Sequence, residues 1–176
     1  MNLTPRYSAV STINHWIAAL LVTVMMVLGF MAAAAPDGPV EAYIMRTHIS
    51  LGFFVFFVVM WRVMYRLVRG FPPLLEKARW QRWAAFVVHR LILVALAVQV
   101  LSGPLYLFTE NAGINVFGWF TFIIPLGALE VIHEPMEFAH IYIGLYGLPA
   151  LLGLHLAGSI YHIVHRHNAE GSSQDL

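Results

Sequence analysis

Four long apolar stretches, separated by polar or turn-rich segments, dominate the pattern of this chain. They cover residues of about 11–35, 42–67, 83–108 and 135–165. A helix needs roughly 20 mostly apolar residues to cross about 30 Å of hydrocarbon, and each stretch is long enough. Within each stretch the apolar residues are continuous rather than alternating, which is typical of spanning helices and not of barrel strands. The sequence therefore predicts an all-α integral membrane protein with four transmembrane helices.

Turn signals separate the predicted helices. The first stretch ends at Pro36-Asp37-Gly38-Pro39, and the second stops before Gly70 and Pro72-Pro73. A long, rather apolar connection over residues 109–134 precedes the fourth stretch. The first stretch also has features of a signal peptide, but it is longer than a typical apolar region of that kind. We therefore interpret it as a first membrane helix and expect residues 1–176 to form one transmembrane domain.

The composition agrees with a membrane protein. Apolar residues make up 60% of the chain and charged residues 11%, whereas a soluble domain carries about 25% charged residues. We therefore expect membrane lipid, and not nucleic acid, around the protein. The chain has no cysteine, which excludes disulfides, thiolate-held iron–sulfur clusters and covalently attached c-type haem.

The distribution of positive charge predicts the orientation in the membrane. Of the ten Lys and Arg residues, only Arg46 lies on one side of the predicted spans. Since Lys and Arg accumulate in cytoplasmic loops, both termini should be cytoplasmic. The nine residues on that side are Arg6, Arg62, Arg66, Arg69, Lys77, Arg79, Arg82, Arg90 and Arg166. The opposite side is acidic and favours cationic or protein partners; it carries Asp37, Glu41, Glu110, Glu130, Glu134 and Glu137.

Ionisable groups inside the apolar stretches are costly and mark functional sites by default, and four of the histidines there fall at two matching depths. His48 and His140 lie near the outer ends of their helices. His155 follows His140 by 15 residues, roughly 22 Å of helical rise, and so reaches the cytoplasmic depth of His15. The 15-residue step leaves the two fourth-helix histidines about 60° apart around the helix. A kink or bulge near Pro149 would absorb this offset.

Two histidine pairs at two depths suit two bis-histidine haems. A neutral imidazole binds iron through one ring nitrogen, and two axial imidazoles favour electron transfer. The apolar macrocycle can fill a four-helix interior where small residues leave space. We therefore predict a four-helix bundle enclosing two b-type haems; the alternative is that single histidines form structural interhelical hydrogen bonds. The small residues are Gly29, Gly52, Ser102, Gly103, Gly144, Gly147, Gly153 and Gly158.

The other histidines admit more than one role. His89 could hold a haem propionate or a quinone oxygen, or lie at the membrane interface. We interpret His133 as a surface residue of the outer loop. His162, which follows His155 by seven residues, is an alternative inner ligand, and with His165 and His167 it otherwise forms an interfacial helix end. Candidate donors for a quinone lie on or near the third helix: His89, Arg90, Gln99 and Ser102.

The order and spacing of several short motifs resemble the bacterial cytochrome b561 family, which is related to the cytochrome b subunits of nickel–iron hydrogenases. The resemblance covers about residues 6–168. No single motif is specific to the family, but the order and spacing of the motifs together are. The motifs are Asn14-His15-Trp16 in the first helix, Arg46-Thr47-His48 with Gly52 and Trp61-Arg62 in the second, His89 in the third, Val116-Phe117-Gly118 in the outer loop, and Gly153-Leu154-His155 with His162 in the fourth helix.

The resemblance implies a protein of the bacterial inner membrane with two haem b groups per chain. By position, His15 and His155 would ligate the cytoplasmic-side haem, and His48 and His140 the periplasmic-side haem. Arg46 would pair with a haem propionate. The implied activity is electron transfer between a periplasmic redox partner and ubiquinone or another quinone. Further alternatives within the family are oxidation of superoxide, against which the acidic outer side argues, and a role as the membrane subunit of a larger oxidoreductase.

Two other classes of protein remain as alternatives. The spacing of His162, His165 and His167 hints at a di-iron membrane oxygenase, but matching histidine boxes are absent from the other loops. A proton-linked transporter would use intramembrane histidines as relays, yet no Asp or Glu lies in the helix centres and no inverted repeat is evident. The electron-transfer interpretation accounts for more of the residues.

Overall fold

The computed structural model describes residues 9–71 and 78–171, with the backbone alone over 165–171. Three long helices come first: α1 (Ala9–Ala34), α2 (Pro39–Arg69) and α3 (Arg79–Thr109). A hairpin of β1 (Ile114–Val116) and β2 (Phe120–Phe122) and a 3₁₀ turn (Gly127–Ile132) lead to the fourth span. That span consists of α4 (His133–Tyr142), a π turn (Ile143–Gly147) and α5 (Leu148–Gly171). Arg6, Lys77, Pro72-Pro73 and the side chains of His165, Arg166 and His167 lie outside the described residues.

Four helical segments of the described chain are long and apolar enough to cross a membrane. This finding confirms the predicted helical membrane architecture. Large apolar side chains point outward from every span, for example Leu20 at 66%, Phe57 at 56%, Val94 at 60% and Leu156 at 61% exposure. Water-soluble proteins seldom expose apolar patches of this extent. The outward faces therefore contact lipid.

The interior of the bundle is built from β-branched and aliphatic residues. Val22 of α1 packs with Val55, Val59 and Val63 of α2, all buried. Because Val55, Val59 and Val63 are spaced four residues apart, they form one stripe along α2. Partly buried side chains complete this core, namely Leu93, Leu96 and Val100 of α3 and Leu152 of α5.

The connection after α3 contains a small hairpin that the apolar pattern did not predict. Val116 pairs with Phe120 across the antiparallel strands. At the tip, Phe117 and Gly118 have φ angles of 51° and 77°, and glycine takes such values without steric cost. On α2, Ser50 Oγ donates to the Asn115 carbonyl at 2.7 Å and accepts the Phe117 N–H at 3.2 Å. These bonds fix the hairpin to the first half of α2.

The fourth span begins at His133, earlier than the predicted start near residue 135. The interpretation of His133 as a surface residue of the outer loop is wrong. Its side chain is only 18% exposed, with Nε2 3.3 Å from Glu110 Oε1. Its Nδ1 lies 3.0 Å from the Thr109 hydroxyl. The reason is that α4 starts against the end of α3, so that His133 joins the two helices.

Candidate functional site

The fold brings the four intramembrane histidines together in two pairs. The rings of His48 on α2 and His140 on α4 have centres 6.2 Å apart and planes inclined at 81°. The rings of His15 on α1 and His155 on α5 have centres 6.3 Å apart and planes inclined at 86°. The members of each pair come from different helices, so each pair forms only when the bundle is assembled. We call them the outer pair (His48 and His140) and the inner pair (His15 and His155).

The separation within each pair matches that of two imidazoles on one iron. A metal–imidazole bond is about 2.0 Å long and the ring nitrogen lies roughly 1.1 Å from the ring centre, so an iron between two rings separates their centres by about 6.2 Å. Among the described residues, no group of three or more His, Asp or Glu side chains could hold a metal ion. Two facing imidazoles on different helices are the ligands that a haem takes from a protein, so the residues present fit that group.

Helix α3 fixes the orientation of His140. The ring Nδ1 lies 3.1 Å from the Gln99 carbonyl, to which it donates when it carries the proton, and Gln99 Nε2 and Ser102 Oγ lie 3.3 and 3.4 Å from the same nitrogen. A Cβ on Gly103 would lie 2.8 Å from His140 Cε1, so the glycine is required for the ring to approach α3. Because Nδ1 is occupied by these bonds, Nε2 is the nitrogen left to bind a metal.

His48 is held by close packing rather than by a strong hydrogen bond. Its ring lies against Gly29 of α1, where an added Cβ would be 3.6 Å from His48 Cε1. Its Nδ1 is buried and makes no hydrogen bond within ordinary limits, although the Met25 backbone approaches the ring. A buried polar atom without a partner is costly, and a metal bound through this nitrogen would supply the partner.

A cavity of about 400 Å³ adjoins the outer pair. Its walls are almost entirely apolar, with Val22, Val59, Leu96 and Leu148 among them, and the hairpin residue Ile114 lines its outer side. Pockets of this size and character hold ligands of several hundred daltons. The polar groups that line it include the two histidines, Gln99 and Tyr106.

The inner pair has a different, cationic environment. Arg62 of α2 donates from Nη2 to His15 Nδ1 at 3.2 Å, and from Nη1 to Asn14 Oδ1 at 3.4 Å and the Ser11 carbonyl at 3.5 Å. Arg66, one turn further on, donates to the Ser11 hydroxyl at 2.8 Å and is itself buried. These contacts join the start of α1 to the last turns of α2 beside the His15 ring.

His89 also lies at the inner pair. Its ring centre is 5.2 Å from that of His155 and 6.1 Å from that of Phe71, with the Phe71 ring nearly parallel at 14°. Arg90 places its guanidinium over the Phe86 and Phe71 rings.

His162 lies two turns beyond His155, with its ring against Tyr161. It is therefore His155 whose ring faces His15.

The remaining candidates divide between the two ends of the bundle. Gln99 and Ser102 contact His140 and so lie at the outer pair, away from His89 and Arg90. Arg46 is exposed at the outer end, where its Nε donates to the Ala42 carbonyl at 3.3 Å. It shares that end with the acidic residues Asp37, Glu41, Glu110, Glu130, Glu134 and Glu137. The arginines of the other end whose side chains are described are Arg62, Arg66, Arg69, Arg79, Arg82 and Arg90.

The partners of the histidine rings were not evident from the sequence as such. The sequence indicates Gln99 only as a donor near the third helix, and Arg62 only as a positive charge and part of a motif. A signal was nevertheless present, because both are polar residues within apolar helices at the depths of the two pairs. Matching by depth would have assigned Gln99 to His140 and Arg62 to His15.

Comparison with known proteins finds related sequences. The sequence profile of the family described as prokaryotic cytochrome b561 matches residues 6–170. The chain is similar to "Cytochrome b561 homolog 2" of Escherichia coli (strain K12), with 30% identity over 122 residues. This alignment covers 68% of the chain and 64% of the length of that relative. No solved structure matches the chain significantly.

Proposed function

This chain belongs to the prokaryotic cytochrome b561 family, and from that premise we propose that it holds two b-type haems and carries electrons between an outer donor and membrane quinone. Membership of the family implies a membrane cytochrome that binds b-type haem and transfers electrons. The number of haems, their ligands and the reaction partners are our proposal.

One observation carries the proposal: the structure contains two facing histidine pairs, with ring centres 6.2 and 6.3 Å apart. We assign His48 and His140 as ligands of an outer haem, and His15 and His155 as ligands of an inner haem. Arg46 lies two residues from His48 at the outer end and is the candidate partner of a propionate. His89 contacts His155 and is the corresponding candidate at the inner end.

The residues of the chain position the ligands and exclude water. A bound haem, held by the paired histidines, would supply one-electron exchange at iron. The apolar walls of the outer cavity keep water from the ligands, and Gly103 and Gly29 let the helices approach the rings. Gln99 holds the proton of His140 at Nδ1 and so directs Nε2 inward. Two one-electron sites together match the two electrons of a quinone.

For the quinone, the described contacts favour the inner end. Gln99 and Ser102 are already bonded to the outer ligand. His89 and Arg90 lie instead beside the aromatic ring of Phe71. A donor and a cation next to an aromatic surface suit the oxygens and the flat ring of a quinone such as ubiquinone.

The donor is expected at the acidic outer end. Its carboxylates attract a cationic or protein donor and repel anions. This charge favours a periplasmic redox protein, or the remainder of a larger oxidoreductase, over superoxide as the source of electrons. A proton-linked transporter is not favoured, because the four intramembrane histidines face one another in pairs.

The same charge distribution supports a location and an orientation. We propose one transmembrane domain over residues 1–176 in the bacterial inner membrane, with both termini cytoplasmic. Arginines concentrate at the end where α2 finishes and α3 begins.

The test is a dithionite-reduced minus oxidised visible spectrum of the detergent-purified protein, with haem measured per chain. We expect a sharp b-type α-band and about two haems per chain. One haem per chain would remove one of the two pairs from the proposal. Protein made with ample haem supply that binds none would overturn it and favour the transporter.

A further inference from the structure

The hairpin of β1 and β2 has a buried face and an exposed face, and both are apolar. On β1, Ile114 and Val116 are 5% and 0% exposed and pack with Phe108 of α3. Every residue of β2 is exposed, including Phe120 and Phe122. An antiparallel pair with one face in water normally turns its polar residues toward the water. The exposed face of this hairpin is therefore unsuited to water.

The exposed apolar side chains of the hairpin and of the residues after it form a patch without charge. Trp119 at the tip is 74% exposed. No Asp, Glu, Lys or Arg occurs between Glu110 and Glu130. Soluble monomers rarely leave an apolar patch of this extent in water, so this patch must be covered. We call it the hairpin face, and it consists of Phe117, Trp119, Phe120, Phe122, Ile123 and Ile124.

The hairpin face is continuous with the lipid-facing side of α2. The Phe117 ring stacks with the Phe54 ring, with centres 6.5 Å apart and planes inclined at 18°. The Phe120 ring centre lies 5.6 Å from that of Phe53, which in turn lies 5.4 Å from that of Phe57. Phe54 and Phe57 are 42% and 56% exposed on a helix long and apolar enough to span a membrane. The lipid that covers these two rings extends without a break onto the hairpin.

The bonds to Ser50 place the hairpin at the depth of a membrane interface. Arg46 is exposed, and no Asp, Glu, Lys or Arg follows it on α2 until Arg62. Ser50, which bonds to the Asn115 carbonyl and the Phe117 N–H, lies one turn beyond Arg46, about 6 Å of helical rise. Interfacial segments bury their apolar faces about 5–10 Å into the boundary between headgroups and acyl chains. Trp side chains such as that at the hairpin tip are enriched there.

We propose that the hairpin face lies in the membrane interface nearest the outer pair, held at that depth by Ser50 and covered by phospholipid acyl chains. The opposite face of the hairpin lines the outer cavity through Ile114, so the hairpin separates this cavity from the bilayer. A two-stranded hairpin has unpaired polar groups along its edges, which an interface hydrates and a hydrocarbon core does not. A protein partner attracted by carboxylates would find none on the hairpin face.

The first test measures the depth of the hairpin with spin labels. Because the chain has no cysteine, Trp119→Cys and Phe120→Cys each create a single labelling site. The full-length protein is labelled with a nitroxide and reconstituted in vesicles of phosphatidylcholine and phosphatidylglycerol. Electron paramagnetic resonance then measures collisions with oxygen, which concentrates in lipid, and with a water-soluble nickel chelate. Leu20→Cys, on the outward side of α1, is the lipid reference, and Asp37→Cys, in the exposed turn after α1, is the water reference.

Both hairpin labels should collide with the nickel chelate several-fold less often than the label at Asp37→Cys. We expect their depth to be about 5–10 Å, shallower than that of the label at Leu20→Cys. Two sites are used so that the result does not depend on the loss of one aromatic ring. Nickel accessibility equal to that of Asp37→Cys at both sites would overturn the proposal and leave the hairpin face to a protein partner.

The second test concerns the anchor. Ser50→Ala removes both side-chain bonds to the hairpin, so the label at Trp119→Cys should become more mobile and more accessible to the nickel chelate. Thr47→Ala is the matched control, because Thr47 lies one turn earlier on α2 and its hydroxyl bonds only to the Tyr43 carbonyl of the same helix. This change should leave the label unaffected. Equal responses to the two substitutions would contradict the role of Ser50. Neither test requires haem, so its result is independent of the proposed electron transfer.

Discussion

Gln99 and His140 bond to each other in both directions. The Gln99 side-chain Nε2 donates to the His140 carbonyl at 3.0 Å, and the His140 ring Nδ1 donates to the Gln99 carbonyl at 3.1 Å. Gly144, in the π turn, makes room for this amide, because a Cβ there would lie 2.9 Å from Gln99 Nε2. The two residues thus fix the register of α3 against α4 and the orientation of the ring in one contact.

Replacing Gln99 by Leu should weaken the outer site while keeping the fold. The substitution removes the bond to the His140 carbonyl, which corresponds to about 1 kcal/mol of stability, and keeps the backbone carbonyl that accepts the ring proton. We expect the outer haem to be lost more readily on washing or heating, with the inner haem unaffected. The haem content after each step measures this.

Gln81→Leu is the control for that experiment. Gln81 also lies on α3 and its side chain donates to the Tyr161 hydroxyl, but at 3.4 Å and in an exposed position. This change should leave the haem content at the wild-type level. Equal losses from both variants would show that the effect is a general weakening of α3.

Single ligand substitutions should each remove one haem. His48→Ala or His140→Ala should leave about one haem per chain, held by the inner pair. His15→Ala or His155→Ala should leave the outer haem instead. A bis-histidine haem that loses one of its two axial ligands is held only by the other imidazole and by packing. The haem content and the shape of the α-band measure both losses.

His162→Ala is the matched control on α5, and it should retain two haems. Loss of the inner haem from this variant, with His155→Ala unaffected, would transfer the ligand role to His162. Retention of both haems in the His48 and His140 variants would show that the outer pair does not ligate a haem.

Much of this architecture follows from the apolar pattern alone. The four spans were predictable because lipid requires long uninterrupted apolar helices. Pairing of His48 with His140 and of His15 with His155 followed from depth, since position along a spanning helix fixes depth. The rotation of each ring about its helix did not follow, because that depends on which helices are neighbours.

The features that the sequence did not disclose depend on contacts between distant segments. The hairpin of β1 and β2 is held by Ser50, which precedes Asn115 by 65 residues. The sequence predicts His133 in the outer loop, whereas in the structure it contacts Thr109 at the end of α3. Such contacts leave no periodic signal in either segment.

Gly103→Ala should eliminate the outer haem. The new Cβ would lie 2.8 Å from His140 Cε1, closer than real Cβ atoms approach other atoms in proteins, and 3.1 Å from Nδ1. Either the ring or α3 must move, and overpacking of this kind costs about 1–3 kcal/mol. We expect about one haem per chain and a normal inner-haem spectrum.

Gly153→Ala provides the comparison for Gly103→Ala. Gly153 lies on α5 between the two fourth-span histidines, and nothing lies within 4 Å of a Cβ built there. Alanine should be tolerated with both haems present. If Gly103→Ala also retained both, the close approach of α3 to the ring would not matter for binding.

The π turn over Ile143–Gly147 accounts for the 15-residue spacing of His140 and His155. In a regular helix this spacing leaves the two side chains about 60° apart around the helix axis. A π turn takes up one extra residue, so the effective spacing becomes about 14 residues. The two side chains are then roughly 40° apart in the opposite sense. Deletion of Tyr146, which lies in the π turn and is exposed, should convert it to an α turn. Because the effective spacing is unchanged, the variant should still bind two haems.

The opposite change should not be tolerated. Inserting one alanine after Ala150 adds about 100° of rotation that the existing π turn cannot absorb. One of the two fourth-span histidines must then face away from its partner, so we expect about one haem per chain. Haem content of the two variants, compared with wild type, measures the effect. If the deletion lost a haem and the insertion kept both, the π turn would not be what sets the register between the pairs.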